Sequence, residues 1–84
     1  MVEEYRYKNI VFTINLNQTP DGGLIGIVLR QGQEVPNTRT SFSATPLKEF
    51  RLRMPEFKPE EELLKCIKGF IRIHVDYGHL LVRQ

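Results

Sequence analysis

Tryptophan is absent from this 84-residue chain and cysteine occurs once, at Cys66. A lone cysteine excludes an intramolecular disulfide framework, so packing must hold the fold, and it fits a reducing compartment. No apolar run approaches the roughly 20 residues that cross a bilayer. The opening MVEEYRYKN is acidic and then basic, without an apolar stretch of signal-peptide length. The expectation is a cytoplasmic protein with no membrane contact, and Asn17-Gln18-Thr19, which matches a glycosylation acceptor, carries no weight in that setting. Charge of one sign is also scarce: twelve basic residues stand against ten acidic ones, for a net +2. That balance permits an acidic partner without requiring one. With 40% hydrophobic and 26% charged residues and no low-complexity run, the composition is that of an ordinary globular domain. A chain this short forms one domain, 1–84, and buries a smaller fraction of its surface than a larger domain does, so it gains from tight packing or self-association.

Periodicity supplies the elements. Ile10, Phe12, Ile14 and Leu16 alternate with Val11, Thr13, Asn15 and Asn17, which marks a strand with one buried face. Tyr5 and Tyr7 alternate on the opposite parity, and a bulge near Lys8-Asn9 would reconcile the two. QTPDGGLIG brings three glycines within five residues, but it fails as a dinucleotide fingerprint. Asp21 stands where the first glycine belongs, and Ile25, Ile27 and Leu29 continue as a strand, so no helix N-terminus faces an anion. Proline followed by Asp-Gly instead makes the turn of a hairpin. Gly26, opposite Ile25 and Ile27, is the place for a bulge or a close backbone approach. A loop over QGQEVPNTR leads to a third strand, Thr38 to Ala44. TPLKEFRLRMP reads as a strand from Lys48 to Met54, because on the competing helix, capped by Thr45, Leu52 would face away from Leu47, Phe50 and Met54. KPEEELLKCIKGF is a helix, with Pro59 at its first position, three glutamates at the positive end of its dipole and a Leu63, Cys66, Ile67, Phe70 stripe. Gly69 is its expected stop. FIRIHVDY then returns to period two and LLVR follows a turn. The competing reading is one long helix from Pro59 to Val82, on which Leu63, Ile67, Ile71, His74 and Gly78 share a face.

Residues able to carry chemistry are few. Cys66 on an apolar stripe packs as a small hydrophobe. His74, Asp76 and His79 offer metal donors at a spacing that fits no standard site. Glu60, Glu61 and Glu62 diverge around the helix, and Ser41 and Ser43 lack a nucleophile motif. The chain is therefore expected to be neither an enzyme nor a cofactor- or metal-binding protein. Two kinds of binding remain. An N-terminal edge strand would present Tyr5, Tyr7 and Val11 to a protein partner or a second copy. Alternatively Arg39, Lys48, Arg51 and Arg53 on successive strands would form a basic sheet face for nucleic acid, with the tyrosines stacking on bases.

YKNIVFTINLNQTPDGGLIGIV resembles the opening hairpin of HicB-type antitoxins, and PEEELLKCIKGFI could stand for their following helix. The Gly-Asp-Thr lead into that helix is absent here, and too many residues intervene. The order of strands and helix is also similar to a PUR-type nucleic-acid-binding repeat, again without its diagnostic residues. Either resemblance covers about half the chain through turn chemistry common to many folds, and no functional residue is carried over. The expected architecture is α+β: a small antiparallel sheet of about four to six strands packed by one main helix from Pro59 to Gly69. The expected function is protein–protein binding or regulation as a non-enzymatic module, with a homodimer one form of it and nucleic-acid binding the alternative.

Overall fold

A computed structural model describes the backbone of residues 1–81 and the side chains of residues 1–78. The chain is α+β, an antiparallel sheet of five strands with two helices. Strand β1 (Val2–Tyr7) turns into β2 (Ile10–Gln18), which turns into β3 (Leu24–Arg30). The far edge of β3 is shared by two short strands: β4 (Gln33–Glu34) pairs with its end and β5 (Thr40–Phe42) with its start. Helices α1 (Ala44–Arg53) and α2 (Pro59–Leu81) complete the chain.

The turns explain the register. At the first corner Lys8 and Asn9 have φ of 51° and 65°. Both are left-handed, as a two-residue hairpin turn with the strands' own twist requires. Tyr7 therefore pairs with Ile10 and Tyr5 with Phe12. The expected bulge is not there. The change of parity comes from the turn itself, and it places both tyrosines on the same face as Phe12. At the second corner Gly22 has φ of 95° and its amide donates to the Thr19 carbonyl over 3.0 Å, the turn expected from Pro-Asp-Gly.

The inner face of the sheet consists of Phe12, Ile14, Leu16, Leu24 and Val28, all buried. Against it lie Leu63, Ile67 and Ile71 of α2, with Val35 and Leu47 closing the margins. Those three helical residues recur at intervals of four and form one stripe. Gly26 fits this packing. A Cβ there would run into Ile67 Cδ1 and come within 2.9 Å of Leu16 Cδ2. The close approach expected at Gly26 is thus that of a helical side chain, not a backbone.

Four expectations are corrected here. The segment expected as a strand from Lys48 to Met54 is helix α1, preceded by Ser43 rather than capped by Thr45. Leu52 does face away, 76% exposed. A single large side chain left in solvent outweighed neither Pro46 in the first turn nor Arg51 and Arg53 in the last, where cations suit the helix dipole. The helix begun at Pro59 does not stop at Gly69 but runs on to Leu81 with a kink at Tyr77. The alternating Ile71, Ile73, Val75, Tyr77 pattern is broken up accordingly, with Ile71 buried and Ile73 and Tyr77 at 45% and 55% exposure. Of the expected LLVR strand, residues 80 and 81 belong to α2 and residues 82 and 83 lie outside those described. The third strand is shorter than Thr38 to Ala44, since Ala44 already opens α1. Cys66 lies on the solvent side of α2, exposed, and not in the core.

Interlocking of Ile67 with Gly26 yields a direct test. Gly26→Ala should destabilise the fold by about 1–3 kcal/mol through overpacking. Ile67→Val, which removes the colliding Cδ1, should recover part of that loss in the double variant. Urea denaturation of all four proteins measures the coupling; two changes that simply add would contradict the packing.

Candidate functional site

The two faces of the sheet differ in what lies over them. On the inner face α2 runs alongside β1, and a line of polar contacts joins the two. Lys68 Nζ lies 2.7 Å from Glu3 Oε2. Arg72 Nη1 donates to the Tyr5 hydroxyl over 3.2 Å. Asp76 accepts from the Tyr7 hydroxyl at 2.9 Å and from Lys8 Nζ at 2.7 Å. Lys68 also sits over the Tyr5 ring and Lys8 over the Tyr7 ring, at 5.4 and 5.6 Å from the centroids. Lys8 first and Tyr7 second hold the Asp76 carboxyl below its ordinary pKa, and Asp76 in turn raises the pKa of Tyr7 and of Lys8. This cluster clamps the sheet edge to the helix across nearly the whole chain.

Among the described residues, no second layer lies over the outer face of the sheet. Along its central strand Ile25, Ile27 and Leu29 stand in file, half-buried by their neighbours alone. Beside them run Asn17, Asn15 and Thr13 of β2, their register partners, with Val11 next in line and 40% exposed. Val2, Glu4 and Arg6 of β1 follow, paired with Asn15, Thr13 and Val11. Aliphatic side chains on β3 are thus rimmed by small polar ones and then by Glu4 and Arg6 on the edge strand.

That edge is open. Met1 and Leu16 exchange both backbone hydrogen bonds, at 2.9 and 2.8 Å. Bonded pairs alternate along an antiparallel ladder, so Glu3, Tyr5 and Tyr7 turn their backbone groups toward β2. Val2, Glu4 and Arg6 turn theirs outward. Among the described elements β1 is the long strand at an edge, since the opposite edge ends in strands of two and three residues.

The residues singled out from sequence are distributed as follows. Tyr5, Tyr7 and Val11 were expected together on the edge strand's exposed side. Tyr5 and Tyr7 instead lie half-buried on the helix side, their rings stacked at 6.4 Å, and Val11 lies on the outer face of β2. The basic residues do not share a sheet face either. Arg39, ahead of β5, is engaged by Glu34 in a two-pronged pair at 2.6 and 2.9 Å, which lowers the Glu34 pKa. Lys48, Arg51 and Arg53 are on α1, where Lys48 and Arg51 flank a shallow depression with Asp21 and Leu52. The outer-face file of Ile25, Ile27 and Leu29 went unrecognised because it alternates just as an inner face would. Its signal was Gly26 and Val28 on the other parity, matched by pairing to Leu16 and Ile14.

Pocket chemistry is modest. A groove of about 230 Å³ between β5 and α1 is lined by Phe42, Pro46, Leu47, Phe50 and Phe57 with Ser41 and Ser43. Phe50 and Phe57 stack there at 5.3 Å. The groove is smaller than usual ligand pockets and its only polar side chains are two serine hydroxyls. His74 faces a second, polar depression with Arg30, Gln33 and Glu34. Asp76, between the two histidines in sequence, is committed to Tyr7 and Lys8, and the side chain of His79 lies outside those described. No helix among the described residues is long and apolar enough to cross a membrane. Compared with protein-family models, with curated proteins and with solved structures, the chain matches none of them.

The Asp76 cluster makes a pH prediction with a defined sign. A depressed carboxyl pKa contributes stability above its unfolded value, about 3.9, and that stability is lost as pH falls through the folded value. The raised Tyr7 pKa works oppositely: its contribution is present below the ordinary 10.0 and lost as pH rises through the folded value. Asp76→Asn should therefore soften the acid limb of the stability profile and return one tyrosine to its ordinary titration in ultraviolet absorbance. An unchanged tyrosine titration would remove the cluster from the account.

Proposed function

We propose that this chain is a small, non-enzymatic, cytoplasmic binding or regulatory module that acts through protein–protein contact, with its sheet as the contact surface. The observation that carries the reading is the uncovered outer face, on which Ile25, Ile27 and Leu29 line up on the central strand. Apolar side chains at the centre of a surface, rimmed by polar ones, match the anatomy of protein interfaces. Their arrangement on a rigid sheet keeps the entropy cost of binding low. Nucleic-acid binding has weaker support. Its four candidate residues are divided between α1 and the loop before β5, and Arg39 is already neutralised by Glu34. A phosphate track needs several free cations in one line.

A tagged chain recovered from its own cells distinguishes the two readings. The proposal expects a protein to accompany the wild type and to be lost with Ile27→Lys. It should be retained by Arg51→Ala/Arg53→Ala, with both variants keeping the wild-type circular dichroism. Recovery of nucleic acid instead, released steeply by salt and lost with the arginine variant, would reverse the order of the readings.

A further inference from the structure

We propose that a second copy of this chain docks along β1, antiparallel and in one register, so that two five-stranded sheets become one continuous sheet across a twofold axis. The proposal goes beyond the protein-contact reading above: it uses the edge of the sheet, not its outer face, and it names the partner. An edge strand with free backbone groups is a template for another strand unless charge, proline or a bulge blocks it. Strand β1 contains no proline, its ladder to β2 runs unbroken from Val2 to Tyr7, and its outward backbone groups belong to Val2, Glu4 and Arg6.

Charge chooses the register. Outward groups must meet outward groups, which restricts a symmetric antiparallel pair to a few alignments. With the axis through Tyr5, Glu4 of each copy lies directly opposite Arg6 of the other, and two ion pairs close the outer face. Moving the axis to Glu4 sets glutamate against glutamate, and moving it to Arg6 sets arginine against arginine. Opposite charges across a strand pair stabilise it and like charges oppose it, so the Tyr5-centred alignment is selected.

The helix layer supports the same axis. Helix α2 runs parallel to β1, with Lys68 beside Glu3, Arg72 beside Tyr5 and Asp76 beside Tyr7 and Lys8. A twofold through Tyr5 brings Lys68 of each copy to the level of Asp76 of the other. The stacked tyrosines become the centre of the inner face, a residue type favoured at interfaces. One feature works against it: Arg72 meets its own copy at the axis. That repulsion is a signature specific to this register, because removing the charge should tighten association.

The experiment uses the full chain, with Cys66→Ser as background, and reads sedimentation equilibrium and disulfide formation. Residues facing each other at the axis without a shared hydrogen bond approach closely enough for a disulfide. Tyr5→Cys should therefore oxidise to a covalent dimer, while Glu3→Cys should not. Since Tyr5→Cys removes a stacked ring, charge variants give an independent reading. Arg6→Glu should weaken the dimer about tenfold, Glu4→Arg/Arg6→Glu should restore it, and Arg72→Gln should tighten it. A wild type that stays monomeric at every concentration overturns the dimer, yet leaves the module reading intact if Ile27→Lys still loses a foreign protein. A dimer insensitive to Arg6→Glu, or one that cross-links through Glu3→Cys, overturns the register.

Discussion

Insertion of Ile67 over the bare backbone of Gly26 is the contact on which the rest of the structure depends. A side chain at position 26 would hold α2 off the sheet. Without it, the helix settles close enough for Leu63, Ile67 and Ile71 to be completely covered. One well-placed helix can then bury the inner face of three long strands, and so small a chain reaches a core without an intramolecular disulfide. Packing at interior density makes such contacts discrete, and a methyl group too many is felt at once.

The same contact decides what is left over. With α2 committed to the inner face, no element among the described residues lies on the outer one. Helix α1 buries only Leu47 and serves as a lid over the β5 margin. The outer aliphatic file and the outward backbone groups of β1 are therefore consequences of a two-layer design with a single covering layer. The polar seam from Glu3–Lys68 to Asp76 fixes how β1 sits under the helix, and this gives the open edge a defined shape and charge order.

Much of the architecture was legible in the residues. The alternation from Ile10 to Leu16, the Pro-Asp-Gly turn and the helix start at Pro59 with its three glutamates each used a strong local rule, and each element formed as expected. Misreadings came where a local pattern fitted two periods. Ile71, Ile73, Val75 and Tyr77 alternate like a strand, yet Ile71 also continues the four-residue spacing from Ile67, and tertiary burial settled the choice. Lys8-Asn9 contains no glycine and so lacks the usual hairpin-turn signal, although asparagine tolerates a left-handed backbone. Reading it as a turn would have moved Tyr5 and Tyr7 to the inner face. The basic residues were dispersed by the misassigned 48–54 segment, because a helix carries Lys48, Arg51 and Arg53 away from the sheet. The Tyr7–Asp76 and Glu3–Lys68 contacts join residues too far apart in sequence for any local pattern to pair them.

The central claim is that α2 covers one face of the sheet through Gly26 and leaves the other open. Methyl nuclear magnetic resonance of the dilute chain with a soluble paramagnetic agent tests it most directly. The account predicts a contact between the Ile67 δ1 methyl and the Gly26 α-protons, shielded methyls for Val28, Ile67 and Ile71, and strong broadening of Ile25, Ile27 and Leu29. Shielded Ile27 and Leu29 in the dilute monomer, or an Ile67 methyl broadened by the agent and remote from Gly26, would contradict it.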